Sequence, residues 1–254
     1  PWPAFKWAVV FLLFLGIILM SPASLSLLTP WPSPAAAVEV AASVLSDYRI
    51  NSYRIDCQLA ADGTVMVQEK LDILYQQDCE ELVFILDAGK ARSLRVVSVA
   101  ISAGSIVAGS PVQMVEVMPA EANTQANLQS LSYKLSADDS IQRLKIRTVG
   151  QASETRQIVI QYELEGALVQ LRDSVKVRRM FFSLVQDKDI ASPVLLIHYP
   201  TAKKAASPWY QAISPVLFVT TEVDQNTIQM SAPQLSAGQD MVAVVILPTA
   251  GFAS

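Results

Sequence analysis

From Tyr48 to the end of the chain, apolar and polar side chains alternate with a period of two. The first apolar face comprises Tyr53, Ile55, Cys57 and Leu59, and the second comprises Val65, Val67, Leu71, Ile73 and Tyr75. Between the two runs stands Asp62-Gly63, a dipeptide that favours a tight hairpin turn. Side chains two residues apart lie on the same face of a strand, so this pattern predicts a β-hairpin with one buried face.

Further alternating runs follow, separated by turn-forming residues. They are Leu82–Leu86, Leu94–Ser102, Val112–Met118, Leu131–Leu135, Ile141–Thr148, Arg156–Leu164, Val177–Val185, Val194–Tyr199, Val216–Val223, Thr227–Ser231 and Met241–Leu247. The stretches 123–130 and 200–215 are predicted to contain no strand. No run after residue 48 keeps a helical period beyond two turns, which predicts an all-β body. Many short strands with regular turns favour antiparallel β-sandwiches, and we expect two of the immunoglobulin-like kind, over residues 48–172 and 173–254.

The first part of the chain has a different pattern, with no charged side chain from Trp7 to Leu28. As a helix, this segment would span about 33 Å, against roughly 30 Å of membrane hydrocarbon. One interpretation is a cleaved secretory signal, with Lys6 before the apolar core and cleavage at Ser21-Pro22-Ala23. The short uninterrupted core, Trp7–Met20, favours this interpretation.

The other interpretation, which we adopt, is an uncleaved signal anchor that forms a single transmembrane helix within residues 1–28. Lys6 keeps the short N-terminus in the cytoplasm, so the body lies on the periplasmic or extracellular side, as it also does after cleavage. Gly16 is the small residue through which this helix is expected to contact another membrane helix. Residues 29–47, which are rich in Pro and Ala, are predicted to form an extended stalk.

Composition narrows the classes of function. Hydrophobic residues make up 52% of the chain and charged residues 17%, and the mean hydropathy is +0.34, which excludes a disordered protein. Acidic residues outnumber basic ones by 23 to 19, and no basic stripe is present, so nucleic acid is not an expected partner. One His and two Cys leave little material for a zinc site or a His-based catalytic triad.

His198 is the single histidine and lies within a strand-like run. A nucleophilic pair would need it beside a Ser or Cys and an orienting carboxylate, and the local sequence supplies neither. We interpret it as a half-buried strand residue with a packing role. The chain has no P-loop and no G-x-S-x-G, H-E-x-x-H or G-x-G-x-x-G motif. No catalytic residue, metal site, cofactor or small-molecule substrate is therefore predicted.

Cys57 and Cys79 are the two cysteines, and an exported chain permits a disulfide between them. In a regular hairpin Cys57 pairs near position 68, so Cys79 is not directly opposite, and two buried thiols are the alternative.

Glu69 falls on the apolar face of its strand, where we expect a structural partner such as an arginine rather than a catalytic role. Calcium binding by the turn acids is not favoured over solvation; these acids are Asp138, Asp139, Asp187 and Asp189.

Two groups of residues are candidate partner contacts. In a strand, Lys176 and Arg178 share a face, which suits an acidic partner or lipid headgroups, although a solvated face is the simpler interpretation. Trp209 and Tyr210 follow a proline and are either an exposed aromatic anchor for a partner or sugar, or a cap on the second sandwich.

Several short segments resemble a family of bacterial predicted membrane proteins known as DUF2207, a domain of unknown function. The similarity covers residues 48–248 and includes an exported strand, the Asp62-Gly63 turn and the Val67-Gln68-Glu69 strand. It continues through Arg156–Tyr162 and the turn Leu235–Gln239, while the basic Lys176–Arg179 stands where the family has an aromatic residue. The resemblance implies an exported β-rich region on a membrane anchor. It implies no activity and no site residues.

The sequence thus favours a non-catalytic, membrane-anchored, extracytoplasmic protein that acts as a structural or accessory subunit of a membrane protein complex. Its expected partners are the membrane, through the N-terminal helix, and other membrane-protein subunits. A cell-envelope module that binds glycan or protein is the alternative. A hydrolase with a site assembled from scattered acids is the remote third.

Overall fold

The computed structural model describes residues 48–107, 111–119, 132–138, 141–182, 188–200, 208–249 and 252. The predicted transmembrane helix, Gly16 and the stalk lie outside this set, as do Asp139 and Asp187. None of the described residues belongs to a helix long and apolar enough to cross a membrane.

The prediction of an all-β body is confirmed for the described residues, which form strands without an α-helix. The strands are β1 Tyr48–Leu59, β2 Val65–Tyr75, β3 Cys79–Asp87, β4 Ser93–Ser102, β5 Met114–Glu116, β6 Met118–Pro119, β7 Ser132–Asp138, β8 Ile141–Gly150, β9 Thr155–Glu165, β10 Leu168–Gln170, β11 Ser174–Phe181, β12 Ile190–Ala191, β13 Pro193–His198, β14 Trp209–Ile213, β15 Val219–Asp224, β16 Thr227–Ser231, β17 Gln234–Leu235 and β18 Met241–Pro248.

These strands form three sheets. The largest has ten strands, eight of them in the order β15-β16-β13-β1-β2-β9-β4-β5; of the other two, β12 pairs with β1 and β17 pairs with β12. The other two have four strands each, in the orders β10-β11-β18-β14 and β3-β8-β7-β6. The immunoglobulin-like form of the sandwiches stays a prediction.

The hairpin of β1 and β2 forms as the sequence predicts. Gly63 adopts φ +88° in the turn, and the Thr64 N–H donates to Asp62 Oδ1 at 2.9 Å. Cys57 pairs with Val67, one residue from the expected position 68. Both predicted apolar faces are buried in the core, because every second residue from Tyr53 to Leu59 and from Val65 to Tyr75 points inward.

Not all strand pairs are antiparallel, which corrects the sequence-based expectation. β1 pairs in parallel with β13 and β12, and β6 pairs in parallel with β7. Parallel pairing needs a long connection, and more than a hundred residues separate β1 from β13 in the sequence. Local alternation reports which face of a strand is buried and carries no information on the direction of a distant neighbour.

The core contains residues from both predicted sandwich domains. Ser46–Ser254 forms one compact unit, and β13, from the second domain, pairs with β1 of the first. Tyr53 of β1 packs edge-on against Phe182, with their ring centres 5.1 Å apart. Phe182 in turn stacks on Phe218, with their ring centres 6.1 Å apart. The boundary between residues 172 and 173 stays a prediction.

The prediction that residues 200–215 contain no strand is wrong for β14. Among the described strands it pairs only with β18, and its exposure alternates along its five residues. The prolines on both sides, Pro208 and Pro215, signal a loop, but an edge strand can start and end at proline.

Candidate functional site

The sequence has three candidate contact regions, namely Gly16, Lys176 with Arg178, and Trp209 with Tyr210. Strand register brings the second and the third together in one sheet. Lys176 of β11 lies opposite Ile246 of β18, and Ile246 lies opposite Trp209 of β14. Directly opposite residues share one face of a sheet, so Lys176 and Trp209 are in one row, about 10 Å apart across two strand spacings. Arg178 lies two residues from Lys176 and therefore shares that face.

We call this face of the sheet β10-β11-β18-β14 the outer face. It comprises Val169, Lys176, Arg178, Met180, Trp209, Gln211, Ile213, Val242, Val244 and Ile246. Large apolar side chains are exposed on it, with 50% of Trp209, 47% of Ile213 and 46% of Val169 accessible to solvent. The four strands contain no Asp or Glu. In a chain of net charge −4, the outer face is therefore an apolar surface that carries only positive charge.

Tyr210 lies on the opposite face of β14 from Trp209, because consecutive strand residues point to opposite sides. It pairs with the fully buried Val245, packs against the core, and donates a hydrogen bond to Glu222 Oε1 at 3.3 Å. The two aromatic residues thus divide the alternatives that the sequence left open: Trp209 is exposed, and Tyr210 covers the core.

Arg179, between the outer-face residues Arg178 and Met180, points to the inner side of its sheet and reaches a buried polar network. Its Nη2 donates to the Tyr162 hydroxyl at 3.1 Å, and its guanidinium carbon lies 5.6 Å from the centre of the Tyr162 ring. Tyr162 and Tyr53 each donate a hydrogen bond to the carboxyl of Glu69. This network joins β1, β2, β9 and β11.

Glu69 is 4% exposed and occupies the centre of this network. Burial raises the pKa of the Glu69 carboxyl, while the hydrogen bonds from Tyr162 and Tyr53 and the charge of Arg179 lower it in part. Burial and the neighbouring Glu69 raise the pKa of both tyrosines well above the ordinary value. The expected structural arginine is present, with its contact to Glu69 passing through Tyr162.

Sequence reasoning missed the two tyrosines as partners of Glu69. In β1, Ile55 lies opposite Glu69, so Tyr53 is a diagonal neighbour that the hairpin register could have identified. Tyr162 is the diagonal neighbour on the other side, and its position requires knowledge that β9 pairs with β2.

His198 is half-buried in β13, as predicted. Its Nδ1 lies 3.1 Å from Thr227 Oγ1, and its Nε2 lies 3.6 Å from Asp56 Oδ1. The tertiary structure thus supplies the hydroxyl and the carboxylate that the local sequence lacks. Thr227 is only 4% exposed, however, so its hydroxyl is not accessible to a substrate.

Cys57 and Cys79 are both buried thiols, the second of the alternatives that the sequence left open. They lie in different sheets, Cys57 opposite Val67 and Cys79 opposite Gly150. Burial raises the pKa of Cys57 to about 12. Among the described residues, no group of three or more His, Cys, Asp or Glu side chains is arranged to hold a metal ion.

The acids considered for calcium are not assembled in the described part of the chain. Asp189 Oδ1 accepts a hydrogen bond from the Ala237 N–H at 2.8 Å, which is a structural role in a turn. Asp138 ends β7, and Asp139 and Asp187 lie outside the described residues.

A family model described as "Predicted membrane protein (DUF2207) N-terminal domain" matches residues 49–247, which confirms the resemblance found in the sequence. No curated protein matches the chain significantly. Native leukotriene A4 hydrolase from Saccharomyces cerevisiae is similar in structure, with a TM-score of 0.46 and 10% identity over 78% of this chain and 29% of that one. The M1 zinc metallopeptidase from Deinococcus radiodurans has a TM-score of 0.43 and 10% identity over 78% of this chain and 42% of that one. The chain thus spans less than half the length of either enzyme, and at these scores the likeness carries no argument about activity.

Proposed function

Because this chain belongs to the DUF2207 family of predicted membrane proteins, we propose that it is a non-catalytic, extracytoplasmic accessory subunit of a membrane protein complex. In this proposal the N-terminal segment holds the protein in the membrane by a single span. The β-rich body lies on the periplasmic or extracellular side and binds a partner subunit through the outer face.

The outer face is the observation that carries the proposal. Tryptophan, arginine and methionine are enriched in protein interfaces, and Trp209, Arg178 and Met180 all lie on this face. Ile213 and Val169 extend the apolar area on either side of them. The absence of acids from these strands favours a partner surface that is apolar at its centre and acidic at its rim.

The chemistry of the described side chains supports a role without catalysis. The hydroxyl beside His198 belongs to the buried Thr227, and the buried carboxyl of Glu69 has both oxygens engaged by tyrosines. Neither group offers an accessible nucleophile next to a base. Replacement of His198 by Gln is therefore expected to leave assembly intact.

Co-purification of the tagged full chain in mild detergent tests the proposal. We expect a partner at fixed stoichiometry, and we expect Trp209→Ala and Arg178→Glu each to weaken its binding, the tryptophan change by about thirtyfold, as for a central interface residue. Lys134→Glu is the matched control, because Lys134 is exposed and lies in a different sheet. Retention of the partner by both outer-face variants, with unchanged thermal unfolding, would show that the outer face is not the docking surface.

The exposed ring of Trp209 also favours the alternative, a module that binds cell-envelope glycan, because an accessible aromatic ring can stack on a sugar. Retention of the full chain on purified cell-wall material, with loss of retention in Trp209→Ala and no stoichiometric protein partner, would favour this alternative.

A further inference from the structure

A cavity of about 420 Å³ lies beside an edge of β11 that no described strand covers along its whole length. β18 pairs with β11 along the whole strand, from Ser174 to Phe181, whereas β10 pairs only with Val175–Val177. From Arg178 onward, that edge of β11 therefore pairs with no strand among the described residues. Ala88–Ala91, in the connection between β3 and β4, also line the cavity.

The lining combines small and apolar side chains with an excess of positive charge. Ala88, Gly89, Ala91 and Ala167 leave room, while Val169 and Leu171 supply exposed hydrocarbon. The charged lining residues are Lys90, Lys176, Arg178 and Arg179, and among the residues that the structure describes no carboxylate lines the cavity.

These cations have charge that the described protein does not neutralise. Lys90, Lys176 and Arg178 form no ion pair with any carboxylate in the described ranges. Arg179 reaches inward to Tyr162, and within the same ranges its Nε has no hydrogen-bond partner. Lys90 and Arg178 are exposed and Lys176 is half-buried, so their charged ends can reach an anion at the mouth of the cavity. Charge-assisted hydrogen bonds from such cations are strong polar contacts for a carboxylate or phosphate.

We propose that this cavity binds a single-chain anionic amphiphile, a molecule with one hydrocarbon chain and a carboxylate or phosphate head. The head is held by Lys90, Lys176 and Arg178, and the chain lies against Val169 and Leu171. Cavities of this volume are typical of small-molecule sites with apolar walls and a few polar groups. This ligand site goes beyond the accessory role but shares Lys176, Arg178 and Val169 with the outer face. Lys90 and Ala167 belong to the cavity and not to the outer face.

Photo-cross-linking of the full chain in phosphatidylcholine nanodiscs tests the site. The probe is hexadecanoate with a diazirine near the end of its chain, and the control probe is the corresponding uncharged alcohol. We expect the acid to label peptides that contain Ala88–Ala91 or Val169–Leu171, and the alcohol to label them at least about tenfold less, as for loss of one charge-assisted hydrogen bond.

Two variants test the contact to the anionic head and the space for the hydrocarbon chain separately. Lys90→Glu removes a cation from an exposed position that tolerates substitution, and Ala167→Phe fills the cavity. Each is expected to reduce labelling about tenfold or more, while Lys134→Glu leaves it unchanged. The outer face is intact in both variants, so co-purification of the partner subunit should persist, which separates failure of this site from failure of the accessory role.

Competition identifies the head group. Displacement of the probe by hexadecanoate or by hexadecyl phosphate supports the proposal, and the stronger competitor shows which anion the cations prefer. Equal labelling by the alcohol, unchanged labelling in Lys90→Glu, or displacement by inorganic phosphate alone would overturn it.

Discussion

Burial inside the β-rich body changes the ionisation of Glu69. Glu69 is a carboxyl group in the core, with both oxygens engaged by phenol hydroxyls and with Arg179 beyond one of them. Burial makes the charged form less favourable than in water, and this effect exceeds the opposing ones, so the pKa of Glu69 is raised. A proton on Glu69 is therefore bound more tightly by the folded chain than by the unfolded chain.

The raised pKa of Glu69 makes the stability of the protein depend on pH, and Glu69→Gln should remove that dependence. With a raised pKa, the stabilisation from protonated Glu69 is complete below the ordinary carboxyl pKa of 4.5 and is lost as the pH rises through the folded-state value. We expect the free energy of unfolding of the unmodified protein to fall relative to that of Glu69→Gln above pH 4.5, by at most about 1.4 kcal/mol per pH unit.

Denaturant unfolding at several pH values measures this difference. Glu80→Gln, at an exposed carboxyl, is the control and should follow the unmodified protein. If the free energies of unfolding of Glu69→Gln and of the unmodified protein changed with pH in the same way, Glu69 would have to stay ionised in the core.

The thiols provide a second prediction at this scale. Because the thiolate is the reactive form and burial raises the pKa of Cys57 to about 12, we expect N-ethylmaleimide to leave native Cys57 unmodified. Cys79 is also buried and its sulfur donates to the Glu81 carbonyl at 3.2 Å, so the same is expected for it.

Mass spectrometry after denaturation without reductant should find two labels per chain. Ala60→Cys, at an exposed position, is the positive control and should react in the native protein. No label after denaturation would show that Cys57 and Cys79 form the disulfide that an exported chain permits.

At the scale of strands, close approach between two sheets depends on one glycine. Gly150 ends β8 opposite Cys79, and a Cβ at this position would lie 2.3 Å from Cζ of the fully buried Tyr75 ring in β2. An alanine there requires the ring or the strand to move. The ring lies in a close-packed core and has little room to do so.

We expect Gly150→Ala to lower the free energy of unfolding by about 1–3 kcal/mol, the usual cost of overpacking a core. Gly104→Ala is the matched control, since no atom of the described residues lies within 4 Å of a Cβ added there, and its effect should stay within about 0.5 kcal/mol. Denaturant unfolding of the two variants measures both. Equal stability would show that β2 and β8 are not packed as closely as described.

For the whole molecule, the main question is how the body is attached to the membrane. The uncharged stretch from Trp7 to Leu28 is long enough to span the hydrocarbon as a helix, so we expect the mature protein to retain it. Alkaline carbonate washing of membranes should leave the full chain in the pellet, and peptide mapping should detect residues 7–20. A mature N-terminus at Ser24 would identify the segment as a cleaved signal instead.

Much of the local structure could be predicted from the sequence. Alternation with a period of two identified β1 and β2 and their buried faces, and Asp62-Gly63 identified the turn between them. Strands of two or three residues, such as β10 and β12, escaped detection because they are too short to show a period. β14 escaped because its flanking prolines are typical of a loop.

The sequence by itself determined which side of each longer strand is buried, because the alternation of side chains is a property of neighbouring residues. Only the tertiary structure decided which strands are neighbours, since distant segments pair where their apolar faces can be buried together. The row from Lys176 through Ile246 to Trp209, the second tyrosine on Glu69 and the open edge of β11 all depend on such pairings. The candidate site was therefore present in the sequence as separate residues, and the sheet that contains β11, β18 and β14 made it one surface.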